Sequence, residues 1–180
     1  TSGPVYGTET EKSDPRQHGI ADERAFYYPS TGLFPRWRGT GHVDDHEFAR
    51  QGARAREKAA GGAAGQALGL YGFYAGPGVH ILDVVALSDP LLSRLKARPG
   101  NWRIGHFTRR IPRGYPETLH DGTNRIEDQN LASYYESIVL VTRAPLFSGA
   151  RWKEILRLNL GLGDERLQDY ERATPKRRVP

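Results

Sequence analysis

The predicted fold class depends on residues 67–95, which read ALGLYGFYAGPGVHILDVVALSDPLLSRL. Residues 67–74 are apolar and aromatic with interspersed glycines, which predicts a strand that allows close backbone approach. The following Ala75-Gly76-Pro77-Gly78 is typical of a turn, and residues 79–85 predict a second strand. The stretch therefore begins with two predicted strands joined by a turn.

A short helix is predicted after the second strand. Ser88-Asp89-Pro90 places a capping residue ahead of a proline at the first helical position, so a helix should run from Leu91 to Leu95 or Lys96. Strand, turn, strand and helix in this order form an α/β motif. We therefore predict an α/β fold with a small sheet and surrounding helices.

Further helices are predicted on both sides of this motif. Asp44 and Glu47 match a capping box and begin a polar surface helix. Residues 127–138 have helical apolar spacing, and Ser148 precedes a final amphipathic helix from Arg151 to Leu160. The C-terminal half of the chain should therefore be helical.

The composition along the chain predicts three segments. Residues 1–42 are rich in Gly, Pro, Thr and charge without sustained apolar periodicity, which predicts an extended N-terminal arm. Residues 43–165 should form the α/β domain, and residues 166–180 are expected to be a basic, disordered tail. A chain of 180 residues with 37% apolar content is enough for one domain with a core.

Composition also restricts the class of protein. No apolar run approaches the roughly 18 residues that a membrane span needs, and no leader resembles a signal peptide, so we expect a soluble domain. The absence of methionine leads us to expect that the chain is part of a longer protein. With no cysteine, neither a disulfide nor a thiolate zinc site is possible.

The charge balance favours an anionic partner. Lysine and arginine total 26 against 21 aspartate and glutamate, for a formal charge of +5, and arginine greatly outnumbers lysine. Guanidinium groups bind phosphate and carboxylate bidentately, so the excess fits anion recognition. A GC-rich genome would produce the same excess, and both interpretations stay open.

The basic window, residues 90–116, contains no acidic residue and seven basic ones: Arg94, Lys96, Arg98, Arg103, Arg109, Arg110 and Arg113. Among them lie Trp102, His106, Phe107 and Tyr115. Guanidinium groups beside aromatic faces suit a sugar ring attached to a phosphate. A solvated basic face or contact with anionic lipid headgroups remain alternatives. No nucleic-acid-binding motif is present, so nucleic acid is not an expected partner.

Two aspartates are candidates for contacts to ligand hydroxyl groups. Asp83 lies at the end of the second predicted strand and Asp89 before the short helix, where α/β proteins place such carboxylates. The alternative is that Asp89 only caps its helix and that Asp83 pairs with a nearby arginine. Together with residues of the basic window, the candidate substrate-binding residues are Asp83, Asp89, Arg103, His106, Arg109, Arg110 and Tyr115.

Catalysis by the chain alone has no positive signal. There is no pair of carboxylates at a readable spacing, no Gly-x-Ser-x-Gly motif and no phosphate-binding glycine loop. His42 and His46 have a spacing compatible with a metal in a continuous helix, but Asp44 is better used as a helix cap. We therefore predict no metal and no cofactor.

Several motifs resemble one membrane glycosyltransferase family. They are Gly72–Pro77, His80–Asp83, Ala86–Leu95, Trp102–Phe107, Arg110–Tyr115, Glu117–Leu119, Asn124–Ile126, Tyr134-Tyr135, Thr142–Leu146 and Asn159–Gly161. Together they resemble the C-terminal region of the arabinofuranosyltransferases that add terminal arabinose in mycobacterial cell walls, and of ZomB-type flagellar motor control proteins. The resemblance covers about residues 19–161.

The resemblance implies a multi-span enzyme of the GT-C plan, which takes a sugar from a polyprenyl-phosphate donor at the extracytoplasmic (periplasmic) face of the membrane. The catalytic carboxylate would lie in the transmembrane portion of the same protein. This domain would help to hold the acceptor glycan or the donor phosphate. Two alternatives remain: a non-catalytic structural domain that packs on a membrane partner and anionic headgroups, and a stand-alone hydrolase.

Overall fold

The structure, a computed structural model, describes residues 23–58, 63–64, 68–98 and 105–174. Helices dominate these residues. In chain order the elements are α1 (Glu23–Thr31), α2 (Leu33–Trp37), a 3₁₀ turn (Val43–Asp45), α3 (Glu47–Glu57), β1 (Ala63–Ala64), α4 (Leu68–Ala75), β2 (Ile81–Leu82), a second 3₁₀ turn (Leu92–Arg94), α5 (Tyr115–Asp121), α6 (Gln129–Arg143), α7 (Gly149–Asn159) and α8 (Asp164–Ala173).

The described residues fall into two units. The first extends to Val85 and includes Arg98–Thr108, and the second consists of Ala86–Ala97 and the chain from Arg109 onward. Within the described ranges, no helix combines the length and the apolar character that a bilayer crossing requires.

The first unit is organised by the packing of α3 on α4. The buried side chains of Tyr71, Ala75 and Val79 form its centre, and Phe48 and Ile81 pack against them. The two helices approach closely at Gly52, where an added Cβ would lie 2.3 Å from the carbonyl oxygen of Tyr71. Only glycine fits this contact, because any side chain would overlap the backbone of α4.

The predicted α/β fold is wrong, because residues 68–75 form α4 and not a strand. A continuous apolar run has no alternation that separates a buried strand from a buried helix. As a helix it satisfies its own backbone groups and presents Tyr71 and Ala75, four residues apart, to α3. Of the second predicted strand only Ile81–Leu82 remains, paired in parallel with the two residues of β1.

The predicted extended arm is also wrong over its described part, where α1 and α2 are helical. Aromatic contacts hold this part together, since the rings of Phe26 and Tyr27 lie 5.3 and 5.0 Å from that of His46. His46, rather than the predicted Asp44, caps α3 by accepting a hydrogen bond from the backbone N–H of Phe48. Residues 1–22 lie outside the described residues.

The second unit contains the helical C-terminal half. Asp128 caps α6, whose buried side chains follow the helical period at Leu131, Tyr134, Tyr135 and Ile138. Both α7 and α8 pack on α6. The predicted cap at Ser148 is confirmed, because its hydroxyl accepts from the backbone N–H of Arg151.

The predicted disordered tail is wrong for residues 166–173, which belong to α8. Asp164 and Glu165 lie in the first turn of that helix, where negative charge is favourable. Leu167 and Tyr170, three residues apart, are its partly buried apolar side chains. Residues 175–180 lie outside the described residues.

Arg157 connects α7 to its neighbours. Its guanidinium donates to the Glu154 carboxylate (2.5 to 3.0 Å), to the Ser137 hydroxyl on α6 (3.0 Å) and to the Leu162 carbonyl before α8 (2.7 Å). Hydrogen bonding to Arg157 is the main reason that the pKa of Glu154 is lowered to about 2. One partly buried arginine therefore joins α6, α7 and the turn before α8.

We predict that alanine substitution affects stability differently at two glycines of the first unit. Gly52→Ala should lower the free energy of unfolding by about 2–3 kcal/mol, because the new methyl group meets the backbone of α4. Gly69→Ala, where an added Cβ meets nothing within 4 Å, should leave stability unchanged or raise it by up to about 1 kcal/mol. Urea denaturation measures both values. Equal effects would contradict the close packing of α3 on α4.

We also predict the acid dependence of stability. Because the folded-state pKa of Glu154 is lowered from 4.5 to about 2, its contribution is complete above about pH 4.5 and is lost as the pH falls toward 2. Glu154→Gln should lower the free energy of unfolding by up to about 3 kcal/mol at neutral pH. It should also reduce the loss of stability as the pH falls from about 4.5 toward 2. Asp169→Asn, from the exposed pair with Arg172, is the control and should cost less than about 0.5 kcal/mol.

Denaturation across the acid range measures these effects. A variant Glu154→Gln that keeps the acid dependence of the parent protein would refute the role of this pair.

Candidate functional site

Asp89 lies in the core of the second unit. Its side chain is 4% exposed, and one carboxylate oxygen accepts hydrogen bonds from the backbone N–H groups of Leu91 and Leu92 (3.0 and 2.8 Å). The hydroxyl of Tyr115 donates to both carboxylate oxygens (2.9 and 3.0 Å). Tyr115 is fully buried and packs edge-to-face on Tyr135. Burial and the neighbouring carboxylate raise the pKa of Tyr115, which keeps its phenol protonated as a donor.

This arrangement assigns Asp89 and Tyr115 a structural task. The carboxylate binds two backbone N–H groups at the start of the 3₁₀ turn Leu92–Arg94 and attaches this turn to α5, which begins at Tyr115. A buried carboxylate needs such partners, because an unsatisfied charge in the core is costly. The position of the chain from Asp89 to Ala97 therefore depends on this contact.

Asp83 and His106 belong to the first unit. Asp83 is fully buried, and its carboxylate accepts from the backbone N–H of Val85 at 3.1 Å, which closes the turn after β2. The Nε2 atom of the half-buried His106 lies 3.9 Å from a carboxylate oxygen of Glu23. Arg103 lies outside the described residues.

An isolated antiparallel bridge between Ala97 and Arg109 brings the two ends of the basic window together. In this register Lys96 and Arg110 are cross-strand neighbours. Both are exposed, so two cations lie side by side at the surface of the second unit. Like charges in neighbouring cross-strand positions destabilise a strand pair unless an anion lies close to them.

Helix α8 lies beside this cationic pair. The Glu171 carboxylate accepts from the backbone N–H of Lys96 at 3.1 Å and forms an ion pair with its ammonium group. Burial raises the pKa of the Tyr170 phenol, and a hydrogen bond with Thr174 and, to a smaller extent, the charge of Arg110 oppose that shift. We call Lys96 and Arg110, together with Tyr170 on the neighbouring helix α8, the cationic pair site.

Acidic residues from other parts of the chain neutralise only part of the positive charge of the basic window. Glu171 pairs with Lys96, and Glu127 lies 3.8 Å from Arg113. Arg94 and Arg110 are exposed and make no ion pair with any residue that the structure describes. The surface around the site therefore keeps an excess of positive charge.

The structure divides the predicted binding residues between different environments. Arg110 lies at the cationic pair site, Arg109 is half-buried in the bridge, and Asp89 with Tyr115 lies in the core. Tyr170 was missed, because its segment was expected to be disordered. The signal that could have identified α8 is an acidic first turn followed by apolar residues at Leu167 and Tyr170.

The chemistry available at the cationic pair site is anion binding. A guanidinium and an ammonium group can donate to phosphate or carboxylate oxygens, and a tyrosine ring can contact an adjoining apolar or sugar face. In the described ranges, no group of three or more His, Asp or Glu side chains is placed to hold a metal ion.

The comparisons with known proteins give no relative. The chain matches no protein-family model, and searches of the curated proteins and of the solved structures give no significant match.

We predict that the hydroxyl of Tyr115 stabilises the second unit. Tyr115→Phe should lower the free energy of unfolding by about 1–3 kcal/mol, because the buried Asp89 carboxylate loses a donor. Tyr135→Phe is the matched control: this tyrosine is also buried, and its hydroxyl has no hydrogen-bond partner among the described residues. Denaturation of both variants measures the difference, and equal losses would show that the Tyr115–Asp89 contact contributes nothing specific.

Proposed function

We propose that this chain is the extracytoplasmic C-terminal domain of a GT-C membrane glycosyltransferase of the arabinofuranosyltransferase type. In this proposal the domain helps to hold the phosphate of a polyprenyl-phosphate sugar donor or the acceptor glycan beside it. The observation that carries the proposal is the register of the Ala97–Arg109 bridge, which sets Lys96 opposite Arg110 beside helix α8. The motifs of residues 72–161 support the choice of family.

The charges at the site favour an anionic ligand. Glu171 neutralises one of the two neighbouring cations, and Arg110 keeps a guanidinium directed to solvent without an acidic partner among the described residues. A phosphate bound there would pair with the Arg110 guanidinium and gain charge-assisted hydrogen bonds. The Tyr170 ring would lie beside the sugar or the first isoprene unit attached to that phosphate.

The role that we propose for the domain is binding and positioning. The described residues around the cationic pair supply donors, one tyrosine ring and the Glu171 carboxylate, which is already paired with Lys96. A group that removes a proton from an acceptor hydroxyl would therefore come from the transmembrane portion, as the family resemblance implies. This division of tasks makes the isolated chain inactive and the complete protein an enzyme.

A structural domain that packs on a membrane partner is the second candidate. It is favoured by the burial of Asp89 and Tyr115, two residues that the sequence had suggested as ligand contacts. In that case Lys96 and Arg110 would be an ordinary solvated surface or would face lipid headgroups. The two candidates differ in whether a soluble phosphate compound binds to the chain.

Calorimetric titration with a short-chain isoprenyl phosphate, with and without an attached pentose, tests the proposal. Arg110→Gln should weaken binding about tenfold or more, because it removes a charge-assisted contact. Arg172→Gln removes the same charge from an exposed ion pair on α8 and should change affinity less than about twofold. The corresponding isoprenol, which lacks the phosphate, should not bind.

Two results would contradict the proposed phosphate-binding role. A folded parent chain that binds none of these compounds contradicts the phosphate-holding role. The same loss of affinity in both arginine variants would mean that only the net charge of the chain matters.

A further inference from the structure

Glu171 is the acid through which α8 contacts the cationic pair site. Its carboxylate accepts from the backbone N–H of Lys96 at 3.1 Å and forms an ion pair with the ammonium group of the same residue. The Glu171 side chain is 13% exposed, whereas that of Lys96 is 81% exposed. Asp169, on the same helix, instead pairs within the helix with Arg172. Glu171 therefore connects α8 to a segment 75 positions earlier in the chain.

The donors that hold Glu171 are also donors for a phosphate. A backbone N–H and an ammonium group bind a carboxylate oxygen and a phosphate oxygen by the same charge-assisted hydrogen bonds. Lys96 is next to the bridge between Ala97 and Arg109, which holds the backbone of this segment. In the free chain, the Glu171 carboxylate thus occupies donors that an anionic ligand of the site would use.

Helix α8 has other contacts that would keep it in place without the Glu171 pair. It packs on α6, and Leu167 and Tyr170 are its partly buried apolar side chains. The ion pair itself contributes little to stability, because the Lys96 ammonium group is solvated. An arrangement with Glu171 on Lys96 and one with a ligand anion in its place therefore differ little in free energy. A ligand shifts such an equilibrium by its preference for one arrangement.

We propose that Glu171 is an internal competitor of the anionic ligand at the cationic pair site. A phosphate that binds Arg110 displaces the Glu171 carboxylate from the Lys96 ammonium group and leaves that carboxylate in solvent. The contact is autoinhibitory, because the ligand must separate Glu171 from Lys96 in order to bind fully. Anions that bind too weakly to replace Glu171 are thereby excluded from the site. The inference rests on the proposed function, since the phosphate is the ligand of that function.

Calorimetric titration with a short-chain isoprenyl phosphate tests the competition. Glu171→Gln keeps the length of the side chain and an amide oxygen that can accept from the Lys96 N–H, but it removes the competing charge. This variant should bind the phosphate about fivefold more tightly than the parent chain, the factor expected for the loss of one exposed ion pair.

Glu165→Gln is the matched control. It removes the same charge from an exposed position in the first turn of α8, which lies about 9 Å along the helix from Glu171. Salt screens exposed charges at that separation, so this variant should change the affinity less than about twofold.

Carbon-13 NMR of the glutamate carboxyl groups separates displacement from a general effect of charge. As the ligand saturates the parent chain, the signal of Glu171 should move toward the position of a solvent-exposed glutamate, for which Glu165 is the internal reference. The signal of Glu165 itself should not move.

The outcomes distinguish this inference from the proposed function. Equal affinities of the parent chain and Glu171→Gln, a Glu171 signal that does not move at saturation, or equally tighter binding in both glutamate variants would overturn the inference and leave the proposed function in place. Binding by Glu171→Gln alone would support the inference and contradict the proposed function of the parent chain. No binding by any of the three chains would refute both.

Discussion

The buried carboxylate of Asp89 is the constraint on which the second unit depends. It accepts two backbone N–H groups at the start of the 3₁₀ turn and the hydroxyl of Tyr115 at the start of α5. A charge at this depth is tolerated only with its hydrogen bonds complete, so the turn and the helix must keep one relative position. The segment that follows carries Lys96 to the bridge at Ala97, which makes the cationic pair site a consequence of a contact in the core.

A second charged side chain connects several elements at the other end of the unit. Arg157 joins Glu154, Ser137 and the carbonyl of Leu162, so a single guanidinium holds α7 against α6 and the turn before α8. Because Arg157 and Glu154 satisfy each other on the inner side of α7, the outer side is left to apolar residues and to Lys153.

In the proposed function, the phosphate is the part of a lipid-linked sugar that this domain recognises. A phosphate is recognised by fixed donors, which the cross-strand register of Lys96 and Arg110 provides.

The sequence by itself determined the local features whose causes are local. The cap at Ser148, the helical spacing of residues 127–138 and the cationic character of the basic window could be predicted, because each depends on residues within a few positions. Only the tertiary structure decided that residues 68–75 are a helix, since their apolar run fits either element until Gly52 allows α3 to pack against it. The pairing of Lys96 with Glu171 likewise joins residues 75 positions apart, beyond the reach of any pattern read along the chain.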